Sequence, residues 1–135
     1  MIAADTSVAV AAFASWHEAH APARAAIRGG AALIAQCALE TYSVLTRLPT
    51  PHRASGPLVQ RFLEAQFRVP LIVMPARDQR RLTARLVELG IEKRAVYDGL
   101  VALTAAGAGA TLISVDRRAA TTYQRCGVDV HLVTP

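Results

Sequence analysis

No segment of this chain runs for about 18 apolar residues without a charge, and no basic stretch precedes an apolar run at its start. Neither a membrane-spanning helix nor a secretory leader is therefore expected. Cysteine is scarce: Cys37 and Cys126 stand far apart in a spacing that matches no zinc site, which predicts buried free thiols in a reducing compartment, the cytosol. Lysine is nearly missing, with Lys93 alone among fifteen basic residues; beside so much alanine, that bias is read as the mark of a GC-rich genome rather than of a ligand. Repeats, low-complexity tracts and long linkers are also lacking. A length of 135 residues with 53% apolar composition predicts a single domain over 1–135 with a real core.

Several phosphate chemistries are excluded by what is not there. No glycine-rich phosphate loop or dinucleotide fingerprint occurs, and Gly107-Ala108-Gly109 ends a predicted helix instead of opening one. A phosphatase of the haloacid-dehalogenase type would need a second Asp two residues after Asp5, where Ser7 stands. A response-regulator receiver would need a paired acid and a Lys after a late strand, and neither is present.

What is present is alternation. Strands are predicted at 1–4, 31–35, 71–74, 111–115 and 128–133, and helices at 6–13, 17–28, 36–48, 55–67, 75–89, 94–108 and 117–125. Thr6 and Ser7 are expected to cap the first helix, Pro22 to strain the second, and Leu58, Phe62 and Leu63 to share one face of the fourth. Strands joined by helices imply right-handed crossovers and an α/β fold of three layers, with a central parallel sheet of about five strands. Ligands of such sheets bind beyond the carboxyl ends of the strands.

Four acids stand where these segments change direction: Asp5 and Asp116 after predicted strands, Glu40 and Asp98 on helices that can reach the same edge. Two carboxylates about 5 Å apart repel by about 3 kcal/mol at an effective dielectric of about 20, so a cluster of four must hold protons or bind a cation. A divalent metal is the simpler answer. Taken singly, each Asp is as readily an N-cap, and capping and ligation can coexist. The net charge is +5; setting the four acids aside leaves fifteen basic residues against six acidic ones, a balance of +9. An acidic pocket in a basic surface suits a polyanion, with nucleic acid foremost, although a positive balance also serves solubility.

The run Ile2-Ala3-Ala4-Asp5-Thr6-Ser7, the pair Glu40-Thr41, the run Tyr97-Asp98-Gly99-Leu100-Val101-Ala102 and the run Leu112-Ile113-Ser114-Val115-Asp116-Arg117 together resemble a PIN domain. Their order, spacing and total length are most similar to the VapC ribonuclease toxins of VapBC toxin–antitoxin pairs. The resemblance covers essentially the whole chain. It implies that Asp5, Glu40, Asp98 and Asp116 form a catalytic acid quartet holding one or two Mg²⁺ or Mn²⁺ ions, with Thr6 and Ser114 as supporting hydroxyls. It further implies metal-dependent cleavage of RNA, a homodimer, and a VapB-type antitoxin seated in a groove near Phe13, Trp16 and Tyr42.

Two departures stand out. Gly99 replaces the usual Ala inside a helix at a cost of about 1 kcal/mol, with the expectation that it makes room beside the metal. Arg117-Arg118-Ala119 follow Asp116 where many relatives have a further polar or acidic residue. That leaves the number of ions open and makes Arg117 and Arg118 candidates for binding substrate phosphate.

Other features carry weaker signals. His17 and His20 read as a surface pair rather than a zinc site, and Arg77, Arg81 and Arg85 as a solvated stripe rather than an RNA track. Val8, Ala12, Phe13 and Trp16 follow helical spacing and are expected to be mostly core. Three functions stay open at this stage: an antitoxin-controlled endoribonuclease, a PIN nuclease of RNA processing without an antitoxin, and a non-catalytic nucleic-acid-binding module.

Overall fold

The computed structural model describes residues 1–135. Chain order is β1 (Ile2–Ala4), α1 (Thr6–Phe13), α2 (His20–Arg28), β2 (Ala32–Leu33), α3 (Ala35–Thr46), α4 (Gly56–Gln66), α5 (Ala76–Leu89), α6 (Ala95–Gly107), β3 (Thr111–Ser114), α7 (Arg117–Arg125) and β4 (Val130–Leu132). The sheet is entirely parallel in the order β2-β1-β3-β4, with Ala3 opposite both Ala32 and Leu112, and Ile113 opposite His131. No helix is long and apolar enough to cross a membrane.

Four strands form the sheet where about five were expected. The stretch predicted at 71–74 supplies a single bridge, with Ile72 N–H donating to Leu33 O (3.0 Å) and Ala35 N–H to Ile72 O (2.9 Å). Its partner β2 lasts two residues before Ala35 begins α3, so no longer ladder is possible.

Local chemistry explains the other differences. Asp5, not Thr6 or Ser7, caps α1, accepting from Val8 N–H. The second helix begins at His20, not 17, so Pro22 falls in its first turn, where backbone N–H groups have no intrahelical partner and no bond is lost. In α4, which starts at the expected place, Ser55 caps Leu58 N–H and Pro57 sits in the first turn, but Leu58 is 44% exposed and Val59 is the fully buried side chain. Val8 and Ala12 are buried as predicted, whereas α1 stops at Phe13 and leaves Trp16 outside, tilted by 40° against His52 with ring centroids 4.3 Å apart.

The core is built largely of alanine. Ala3, Ala4, Ala9, Ala11, Ala19, Ala23, Ala102 and Ala105 are wholly inaccessible, so helices lie close against very short strands. Both thiols are free and buried, as expected.

Gly99 serves helix packing, not the acid cluster. A Cβ at this position would lie 2.7 Å from Leu86 Cδ2 and 3.6 Å from Ile91 Cγ2, so the glycine lets α6 approach the end of α5. Leu86 and Ile91 are themselves buried, and displacement there is expensive. Gly99→Ala should gain about 1 kcal/mol of helix propensity and lose about 2 kcal/mol to overpacking, a net loss of about 1 kcal/mol in urea unfolding. A stabilised variant would show that Leu86 yields freely.

Candidate active site

The strand order sets where a site can form. From β1 the chain crosses to β2 on one side, while β3 lies on the other, so the carboxyl ends of β1 and β3 flank a topological switch point. Asp5 follows β1 directly, and Asp116 stands two residues past β3. Glu40 projects from the second turn of α3, and Asp98 is the fourth residue of α6. All four line one cavity of about 250 Å³, together with Thr6, Ser7, Cys37, Val101 and Tyr123. The acid cluster expected from sequence is thus brought together, and no basic side chain joins it. The two ion pairs of the molecule, Arg77–Asp78 and Arg85–Glu88, involve none of the four.

Neutral donors hold the carboxylates in place. Asp5 is 3% exposed, and its Oδ1 accepts from Ser7 Oγ (2.6 Å) and Val8 N–H (3.2 Å), while Oδ2 accepts from Tyr123 Oη (2.9 Å). The Ser7 proton points to Asp5, so the 3.2 Å contact between Ser7 and Ser114 has Ser114 donating. Ser7 Oγ also accepts from Val115 N–H (2.8 Å), and Ser114 Oγ accepts from Asp116 N–H (3.0 Å). A continuous chain of hydrogen bonds therefore runs from the Asp116 backbone through Ser114 and Ser7 to Asp5.

Glu40 is fixed from both sides, by Thr6 Oγ1 on Oε2 (2.9 Å) and Gln36 Nε2 on Oε1 (3.1 Å). Thr6 thus supports Glu40 rather than the Asp5 beside it in sequence. Asp116 caps α7 with Oδ1, accepting from Arg118 N–H (2.9 Å) and Ala119 N–H (3.3 Å), so an N-cap and a cavity acid are the same residue. Asp98 has no hydrogen-bond donor of this kind and sits half-buried. Ser7, Gln36 and Tyr123 escaped the sequence reading. By sequence Ser7 is a candidate cap, the 36/40 spacing on one helix is the available signal for Gln36, and nothing local marks Tyr123.

Electrostatics matches this geometry. Burial raises the Asp5 pKa, and part of the effect is offset by the Ser7 hydroxyl, which Ser114 backs from behind, by the Tyr123 hydroxyl and by the Val8 N–H. Asp98 is raised first by desolvation and then by Asp116, Asp5 and Glu40 in turn, a direct mark of like-charge repulsion. Burial, with added repulsion from Asp5 and Glu40, pushes the Cys37 thiol up to about 12, which keeps it a neutral wall of the cavity.

The donor set, four carboxylates with hydroxyl neighbours, is the hard-oxygen chemistry that Mg²⁺ and Mn²⁺ take. No three of these groups converge on one point in the observed rotamers. The fit rests on donor type and uncompensated charge. Arg117 and Arg118 are exposed on the first turn of α7, and neither lines the cavity. Phe13 packs edge-on against Phe62 at 5.1 Å as partial core, whereas Trp16 and Tyr42 are exposed. Tyr42 lines a separate recess of about 470 Å³ with Pro57, Gln60 and Leu63 between α3 and α4.

Both raised carboxyls bind protons more firmly in the folded chain than in the unfolded one. From pH 3.8 up to their raised folded values the native state therefore holds more protons, and their contribution to stability falls as pH rises. Asp98→Asn removes one repelling charge, worth on the order of 1 kcal/mol for a half-exposed group. In chelator at pH 7 this variant should unfold about 3 °C above the parent, with the gap closing near pH 4. An unchanged or lower midpoint at pH 7 in thermal scanning would refute the repulsion.

Comparison with known proteins agrees with this arrangement. The family model for the PIN domain matches residues 2–124. The chain is 48% identical over 134 residues, 99% of its length and 100% of the relative's, to Ribonuclease VapC40 of Mycobacterium tuberculosis, in both strain CDC 1551 and strain H37Rv. It is 42% identical over 130 residues to Ribonuclease VapC27 of Mycobacterium tuberculosis H37Rv, covering 96% of this chain and 94% of that one. With four acids at the switch point of a parallel sheet and full-length likeness to these relatives, the chain belongs to the PIN-domain family, in its VapC branch.

Proposed function

We propose that this chain is a metal-dependent endoribonuclease, the toxin of a type II toxin–antitoxin pair that acts in the cytosol. The observation that carries the reading is the cavity where Asp5, Glu40, Asp98 and Asp116 meet with no cation of the protein's own. Mg²⁺ or Mn²⁺ held by these four side chains supplies a water of lowered pKa and offsets the charge that develops on the scissile phosphate.

The remaining roles belong to the chain itself. Asp5, anchored at the end of a central strand and on the cap of α1, is the most rigid of the four. Glu40 is kept facing the cavity by Thr6 and Gln36. Arg117 and Arg118 attract phosphates to the rim without entering the cavity, where they would neutralise it. Cleavage leaves a 3′-hydroxyl and a 5′-phosphate. A single-stranded loop of a structured RNA, such as transfer or ribosomal RNA, is the preferred substrate, because a splayed strand brings one phosphate into a recess more readily than a duplex does.

A VapB-type antitoxin would cover the exposed apolar side chains of Trp16, Leu39, Tyr42 and Leu58, and present a basic residue to the acids. The proposal includes a homodimer that sets two acidic cavities on one basic surface.

The reading is tested by incubating end-labelled total RNA and matched hairpin and duplex RNAs with purified, antitoxin-free protein in Mg²⁺, Mn²⁺ or chelator. Discrete cuts in hairpin loops are expected with metal only, reduced at least about 100-fold by Asp5→Ala and by Asp98→Ala. Folded wild type that cuts nothing with either metal would overturn the nuclease. Duplex preferred over loops would overturn the substrate class alone.

A further inference from the structure

Asp5 is reached by a side chain from the far end of the chain. Tyr123 lies seven residues beyond Asp116 in α7, so two turns of helix bring it back under the cavity floor. It is 3% exposed, and its hydroxyl makes one hydrogen bond, to Asp5 Oδ2 at 2.9 Å. Packing does not call for that hydroxyl. A phenylalanine would fill the same volume, and a phenol buried without a partner costs about 1–3 kcal/mol. Its position is therefore explained by the carboxylate it meets.

The hydrogen bonds on Asp5 decide how that carboxylate can face a cation. A carboxylate offers about four lone-pair directions, two on each oxygen. Ser7 and Val8 use both directions on Oδ1, and Tyr123 uses one on Oδ2. One direction remains, on Oδ2. Ser7 and Val8 belong to the cap of α1 and would hold Oδ1 in any such cap, but only Tyr123 fixes the oxygen that is left for a ligand.

We propose that Tyr123 is a positioning residue of the metal site, holding Asp5 Oδ2 so that Asp5 offers one lone pair, in one direction, to a small octahedral cation. The inference rests on the metal-site reading above and goes beyond the acid quartet by adding a fifth residue that acts only through Asp5. Single-point carboxylate ligation suits Mg²⁺ and Mn²⁺, which demand near-ideal octahedra, better than a two-oxygen grip. Loss of such an orienting partner typically lowers metal affinity by 10–100-fold.

The test is Mn²⁺ titration of full-length wild type and Tyr123→Phe by calorimetry, with RNA cleavage followed across Mn²⁺ concentrations. Tyr123→Phe should bind Mn²⁺ about tenfold more weakly. At low Mn²⁺ its kcat should fall, and at saturating Mn²⁺ it should return to within about twofold of wild type, with KM for RNA unchanged throughout. Urea unfolding without metal establishes that Tyr123→Phe is folded before the titration, since bound metal also stabilises the native state. As a guard against a folding defect, replacing Tyr123 by 4-aminophenylalanine keeps a donor at the same point and should restore the affinity.

Mn²⁺ affinity unchanged in folded Tyr123→Phe would overturn the proposal and leave the metal site standing. An affinity loss that 4-aminophenylalanine fails to restore would overturn it too, since the ring and not the donor would then matter. Wild type that binds no Mn²⁺ would overturn both this proposal and the reading it rests on.

Discussion

Every strand of this sheet runs the same way, so all their carboxyl ends open on a single edge, and the reversal of strand order between β1 and β3 leaves a gap there. Asp5 and Asp116 are delivered to that gap by the sheet itself, and Glu40 and Asp98 by early turns of α3 and α6. The positive ends of α1 and α7 face the same edge, because each begins just after a strand. A helix terminus contributes about 0.3–1 kcal/mol to a nearby anion, against roughly 3 kcal/mol for each close carboxylate pair. Helix dipoles thus soften the repulsion without cancelling it, and Asp98, raised first by desolvation, is raised further by the other three acids.

The means of holding these charges matters as much as their number. Each oriented acid is fixed by neutral donors: Ser7, Val8 and Tyr123 on Asp5, Thr6 and Gln36 on Glu40, and the amides of Arg118 and Ala119 on Asp116. A lysine or arginine in any of these places would orient a carboxylate equally well, but would also neutralise it. With neutral donors the side chains are pre-positioned and the cavity keeps its net charge. The protein's positive charge stays outside, with Arg117 and Arg118 exposed one turn away on α7.

How much of this was legible in the sequence depends on the distance over which each feature is determined. The alternation of strands and helices, the helix start at 55, the helix end at 89 and the acids at segment junctions are local patterns, and they reappear where expected. The fifth strand did not, because an apolar run shows strand propensity without showing that its neighbour β2 has only two residues to pair. Gly99 was legible as an anomaly but not as a contact, since Leu86 meets it only after α5 folds against α6. Thr6 is legible as a supporting hydroxyl but not as the partner of Glu40, 34 residues on. Tyr123 was invisible for the same reason: its bond to Asp5 spans 118 residues.

The composition of the core gives the uncompensated charge its leverage. Alanine is the commonest residue between the helices and the strands, and each buries little apolar surface at about 25 cal/mol per Å². Close approach makes the packing dense, yet the favourable burial per residue is modest, so repulsion of a few kcal/mol at the cavity is a large share of a net stability of about 5–15 kcal/mol. Whatever offsets that charge binds with the relief of the repulsion added to its own contacts. A divalent cation gains from this most. A single basic side chain from a partner gains about half as much charge relief, and so must be carried into place by contacts elsewhere. The exposed apolar side chains of Leu39, Tyr42 and Leu58 on α3 and α4 offer such contacts beside the acids, with α3 carrying both Glu40 and two of the three.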